Sequence, residues 1–189
     1  SLTSDSRKVT DGTAFVCIAG AVSNGHKYIA SAVENGASVI VVQTGEVIPD
    51  IPENVTVVAS DNTRKALAYM SAAYFGNPAG DLFTIGITGT KGKTTTTYMI
   101  KNVLEACGIK TGLIGTIETI IGEEKIPSCN TTPESYQIHE SFRKMADAGC
   151  KAVVMEVSSQ GLKLDRTAGI MFDIGVFTNL EPDHIGPNE

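Results

Sequence analysis

Leu82-Phe83-Thr84-Ile85-Gly86-Ile87-Thr88-Gly89-Thr90-Lys91-Gly92-Lys93-Thr94-Thr95 passes from an apolar run, through a glycine-punctuated loop, into a threonine-rich stretch. Leu82 to Ile87 reads as a buried strand, and Thr95 to Cys107, halted by Gly108, as a helix. Downstream, Thr111 to Thr119 and Glu124 to Ile126 suit a hairpin through Gly122. Glu134 to Ala148 suits a helix, and Ala152 to Val157 and Asp173 to Thr178 suit two further buried strands. Apolar strands separated by helices predict a mostly parallel sheet with helices on both faces, because parallel neighbours need a crossover connection. The fold class is α/β.

Working upstream, short β-branched runs alternate with helical stretches: Ala14 to Ala19, Tyr28 to Asn35, Ser38 to Val42, Val55 to Ala59 and Thr63 to Phe75. That is a small α/β unit of its own. Gly76-Asn77-Pro78-Ala79-Gly80-Asp81 gathers helix stoppers and turn formers, so a domain boundary is expected at about residue 80. The expected division is residues 1–80 and residues 81–189, the second incomplete. Ser1-Leu2 in place of Met, and a final Gly186-Pro187-Asn188-Glu189, lead us to expect further sequence on both sides.

Hydrophobic residues make up 42% of the 189 and charged residues 19%, which is the balance of a globular chain and not of a disordered one. The net charge of -6 points away from nucleic acid and from anionic membranes, since polyanions are held by clustered Lys and Arg. No apolar run approaches the roughly 20 residues that span a bilayer, and no basic-then-apolar leader is present, so a cytoplasmic protein is expected. Cys17, Cys107, Cys129 and Cys150 are widely spaced and read as reduced thiols, not as a zinc site.

The loop Gly86 to Thr95 has the chemistry of a P-loop. Backbone N–H groups at a helix start can surround phosphate oxygens only where no side chain blocks them, and Gly89 and Gly92 leave that access. Thr90, Lys91 and Thr95 complete the candidate ATP-binding run. Lys93 brings a compact cation to the outer phosphates, and the Thr94 hydroxyl is placed to ligate the nucleotide's magnesium. The general pattern wants Gly five residues before Gly92, where this chain has Ile87.

The shifted glycines resemble the Mur ligase family, whose loop reads Thr-Gly-Thr-x-Gly-Lys-Thr-Thr, as in Thr88 to Thr95. Four more stretches follow the family in the same order: Ser4-Asp5-Ser6-Arg7, Asn130-Thr131-Thr132-Pro133, Glu156-Val157-Ser158-Ser159-x-Gly161-Leu162, and Thr178-Asn179-Leu180-x-x-Asp183-His184. Together they look like the branch that makes the UDP-N-acetylmuramoyl-tripeptide of peptidoglycan. The resemblance implies ATP and Mg2+ as cofactors, UDP-N-acetylmuramoyl-L-alanyl-D-glutamate as acid substrate, and meso-diaminopimelate or L-lysine as the amine. It implies an acyl-phosphate intermediate, with Lys93, Glu156 and His184 catalytic and Thr94, Glu156 and His184 at the metal sites. A carbamylated lysine and a third, amino-acid-selecting domain would lie beyond Glu189, so this stretch alone is expected to be inactive.

By the same resemblance Ser6 meets the uridine part, while Thr131, Thr132, Ser158 and Arg166 grip the muramoyl-peptide. Where the family often has Gln two residues before that Arg, this chain has Leu164, which removes one hydrogen bond. Monomers are the family expectation. Asp5 suits either orienting Arg7 or holding a turn, and His26 and His139 read as structural. Two other readings stay open: a folylpolyglutamate-type or other Mur-like ligase, and a nucleotide-binding module without catalysis. Such a module would need no second metal site beside the loop.

Overall fold

The computed structural model describes residues 1–20 and 23–182. It divides into two compact units, Ser1–Tyr74 and Phe75–Glu189. The division falls a few residues before the turn-rich stretch that marks it in the sequence. Phe75 makes an edge-on ring contact with Tyr136, and the 3-10 turn Pro78–Asp81 packs on the helix Ser135–Asp147.

In the first unit β1 (Leu2–Thr3), β2 (Thr13–Val16), β3 (Ala37–Gln43) and β4 (Thr56–Ser60) form a parallel sheet in that order. Helix α1 (Ile29–Glu34) is the crossover between β2 and β3, and α2 (Thr63–Tyr74) follows β4 and packs on β1 and β3. Phe15, Cys17, Ile29, Ala32, Ile40 and Val42 make its core, and burial pushes the Cys17 thiol up to about 12. β1 is only two residues long, too short to leave a periodic trace in sequence.

The second unit contains β5 (Phe83–Thr88), α3 (Lys93–Ala106), β6 (Thr111–Ile114), β7 (Glu118–Ile121), β8 (Glu124–Pro127), α4 (Ser135–Asp147), β9 (Ala152–Glu156), α5 (Ser159–Lys163) and β10 (Ile174–Phe177). The strand order is β10-β5-β9-β6-β7-β8. The first four are parallel neighbours, and β7 and β8 are antiparallel additions. Alternation along β9 shows how helices cover both faces. Val153 and Met155 join Ile138, Phe142 and Met145 of α4, whereas Val154 joins Ile100 and Leu104 of α3.

Thr111 to Thr119 is not one arm of a hairpin, as the sequence led us to expect. β6 and β7 are separate strands that pair with each other, and the chain reverses at Gly115-Thr116-Ile117. A Cβ on Gly115 would stand 2.5 Å from Glu156 Oε1, so the reversal occurs where only glycine fits against a carboxylate. The second hairpin, β7 to β8, does turn at Gly122, whose φ is 61°.

Among the described residues all four cysteines are free, and no helix is long and apolar enough to cross a membrane.

Candidate active site

Ile87 is fully buried in β5 and pairs with Glu156 of β9, so it belongs to the strand. The loop proper starts at Gly89, which is why the glycine expected at 87 has moved. Gly89 has φ 131°, and a Cβ there would stand 2.2 Å from Thr178 Oγ1. Gly92, at φ 84°, leads into α3. The Lys93 ammonium donates to the carbonyls of Gly89 at 2.6 Å and Thr90 at 3.1 Å. Thr94 and Thr95 occupy the same first turn of α3, whose backbone N–H groups have no acceptor within the helix.

A strap after β10 braces this loop. Asn179 accepts from the Lys91 N–H through Oδ1 at 3.0 Å and donates through Nδ2 to the Lys91 carbonyl at 3.0 Å. Its own carbonyl accepts from Thr90 N at 3.0 Å, and the Thr178 hydroxyl donates to the Lys91 carbonyl at 2.7 Å. Lys91 also pairs with Glu181 at 2.5 Å. The motif Thr178-Asn179-Leu180 therefore shapes the loop through its backbone.

Glu156, the last residue of β9, is 1% exposed. Its Oε2 accepts from the Thr94 hydroxyl at 3.0 Å and the Thr116 hydroxyl at 3.0 Å, and its Oε1 accepts from the Thr116 N–H at 2.9 Å. Among the described residues no Lys, Arg or His forms an ion pair with it. A buried carboxylate surrounded by hydroxyls and lacking a protein cation is a hard oxygen donor set, the kind that suits Mg2+. Among the described residues no group of three His, Cys, Asp or Glu gathers for a metal.

A cleft of about 400 Å³ in this unit is lined both by loop residues, Gly89, Thr90 and Lys93, and by Thr131, Thr132, Ser158 and Arg166, which the sequence led us to expect at the peptide. Thr131 reaches Thr116 Oγ1 at 3.0 Å. Thr132 is 1% exposed, and its hydroxyl is engaged inside the fold, with the Glu156 carbonyl at 3.0 Å and Ser158 Oγ at 3.1 Å, while Ser158 N donates to it at 2.9 Å. Ser158 also accepts from Gly161 N at 3.0 Å, capping α5. Arg166 donates to the Thr132 carbonyl at 2.8 Å and pairs with Glu134 at 2.7 Å, and among the described residues its buried Nε has no hydrogen-bond partner.

Ser6 lies in the first unit, opening the 3-10 turn Ser6–Lys8. Asp5 does both things that its position allowed. It caps that turn by accepting from Arg7 N at 3.1 Å, and it holds the Arg7 guanidinium at 2.9 and 2.8 Å, which keeps its own carboxyl below the usual range. His26 is structural: Nδ1 lies 2.6 Å from Asn24 Oδ1, and Nε2 accepts from Gln43 N at 2.9 Å. His184, with Asp183, lies outside the described residues. Thr116 and Glu134 were not singled out by the sequence. Neither carries a recognisable motif, and only the folded backbone brings them to Glu156 and Arg166.

The sequence was compared with known proteins. Residues 87–187 match the family described as Mur ligase middle domain, and residues 1–75 that described as Mur ligase family, catalytic domain. A UDP-N-acetylmuramoyl-L-alanyl-D-glutamate--2,6-diaminopimelate ligase of Clostridium perfringens is 50% identical over 96% of this chain and 37% of its own length. The enzyme of the same name from Chlorobaculum tepidum is 46% identical over 100% of this chain and 37% of its own. This chain thus spans somewhat over a third of the length of these relatives. Among solved structures, one bearing that enzyme name superposes with TM-score 0.81 at 24% identity, covering 100% of this chain and 38% of its own. A MurF ligase from Thermotoga maritima in complex with ADP gives 0.60 at 23%, covering 97% of this chain and 38% of its own. At those identities the two structures speak for the fold alone.

Proposed function

This chain belongs to the Mur ligase family, and on that premise we propose that it is the front part of an ATP-dependent ligase. The enzyme would join a diamino acid to UDP-N-acetylmuramoyl-L-alanyl-D-glutamate in peptidoglycan synthesis. The observation that carries the reading is the shared cleft, which the P-loop Lys93 lines together with Thr131, Ser158 and Arg166. The names of the relatives favour diaminopimelate over L-lysine as the amine. A cytoplasmic monomer acting on small molecules, not on nucleic acid or membranes, fits the reading.

A carboxylate attacking a phosphate must approach like charge, so the protein has to place donors where charge accumulates. The Lys93 ammonium, held at the loop by two carbonyls, is positioned to turn to the outer phosphates of ATP. The loop glycines and the first N–H groups of α3 take the remaining phosphate oxygens. Thr94 and Glu156 would hold Mg2+, which when bound offsets phosphate charge. His184 joins the proposed metal set by its motif alone. Among the described residues Arg166 keeps one buried N–H without a partner, and a carboxylate or carbonyl oxygen of the muramoyl-peptide would satisfy it. Ser158 and Thr131 add hydroxyls, Thr132 supports both from inside, and Ser6 is assigned to the uridine part.

A module that only binds nucleotide would need no second metal site; Glu156 stands beside the loop, and His184, the other residue by which the two readings differ, lies outside the described residues. The test is phosphate release by a full-length protein carrying this sequence. Release should require ATP, the muramoyl-dipeptide and diaminopimelate together. Release that is indifferent to the dipeptide, or that appears with a folate in its place, would contradict the proposal.

A further inference from the structure

Glu156 is held from two sides. Thr94 approaches from α3, and the reversal between β6 and β7 closes over the carboxylate from the other side. At that reversal Gly115 lacks the Cβ that would strike Oε1 at 2.5 Å, and Thr116 supplies both its N–H, to Oε1, and its hydroxyl, to Oε2. A carboxylate offers about four lone-pair sites. Three are taken by these donors, which fixes the group's rotation and leaves one direction for an incoming cation.

The Thr116 hydroxyl has one proton but two neighbours, Glu156 Oε2 at 3.0 Å and Thr131 Oγ1 at 3.0 Å. Hydroxyl protons follow the stronger acceptor, and the carboxylate is that acceptor. Thr116 is the donor in both contacts, and its proton is held chiefly by the Glu156 carboxylate, with Thr131 Oγ1 as the weaker acceptor beside it.

We propose that Thr116 is a positioning residue: through its N–H and its hydroxyl it orients the Glu156 carboxylate for the nucleotide's magnesium. This rests on the nucleotide-and-magnesium reading above. The Thr116 side chain is exposed, so its packing contributes little to stability, and its hydroxyl carries the effect. Partners that orient a ligating group are typically worth about 10–100-fold in metal affinity.

The experiment is calorimetric titration of ADP into the chain with and without magnesium chloride, for wild type, Thr116→Val and Thr116→Ser, each checked for a cooperative melt. Wild type should bind ADP more tightly with magnesium. Thr116→Val should lose about tenfold of that gain while binding metal-free ADP as before, and Thr116→Ser should restore the gain to within about twofold. Wild-type magnesium enhancement that Thr116→Val retains in full overturns the inference and leaves the proposed function standing. Wild type that binds no ADP, or binds it without regard to magnesium, overturns both.

Discussion

His139 is fully buried on α4, neither ring nitrogen has a partner, and burial pushes its imidazole from the ordinary 6.5 down to about 4. Because the folded form holds the proton less tightly, the unfolded chain takes it up first. Stability is therefore complete above pH 6.5 and is lost as pH falls from there toward 4. At about 1.4 kcal/mol per pH unit the loss approaches about 3 kcal/mol. His139→Leu, close in volume and free of unsatisfied nitrogens, should be more stable than wild type, and its advantage should widen between pH 7 and pH 4.5. Denaturant unfolding at both pH values measures this, and an advantage that stays constant would contradict it. Lys93 presents the opposite case. Among the described residues its ammonium bonds only to loop carbonyls, so Lys93→Ala should change stability by no more than about 1 kcal/mol. Phosphate release by the full-length enzyme should fall by at least about 100-fold, and retained turnover would refute the role given to Lys93.

Among the elements, the loop after β5 and the strap after β10 stand or fall together. Gly89→Ala would drive a methyl into Thr178 and Asn179 and would strain a φ of 131°, so nucleotide binding should be lost even though Lys93 is unchanged. Titration with ADP tests this, with wild-type affinity as the contrary result. On the other face of the sheet, Phe142 of α4 fills the core beside Met145, Val153 and Met155. Phe142→Ala should cost about 3–5 kcal/mol in a denaturant melt; a loss under about 1 kcal/mol would show that α4 does not seal that face. Most of these elements were legible in the sequence because each run is long and strongly patterned. Leu82–Ile87, Glu134–Ala148 and Ala152–Val157 appear almost where the periodicity put them. The split of Thr111–Thr119 into two strands was not legible. The cause is a close approach between Gly115 and Glu156, residues far apart in the chain, and local pattern carries no trace of it.

Over the whole molecule, chemistry carried by a local motif was readable and chemistry assembled by the fold was not. The loop, Glu156, Thr131 and Ser158 could be named from three short stretches, and Arg166 from the family resemblance, and the structure gathers them in and around one cleft of the second unit. Thr116, which joins Glu156 to Thr131, and Glu134, which holds Arg166, became visible only through the hydrogen bonds of the folded chain. The central claim is that this cleft takes both the muramoyl-dipeptide and nucleotide. Its most direct test is calorimetric titration of the folded chain with UDP-N-acetylmuramoyl-L-alanyl-D-glutamate. Saturable binding, weakened in Arg166→Ala about tenfold or more as a charged hydrogen bond is lost, is the expected result. A chain that melts cooperatively yet gives no binding heat, or whose affinity is untouched by Arg166→Ala, would contradict the account.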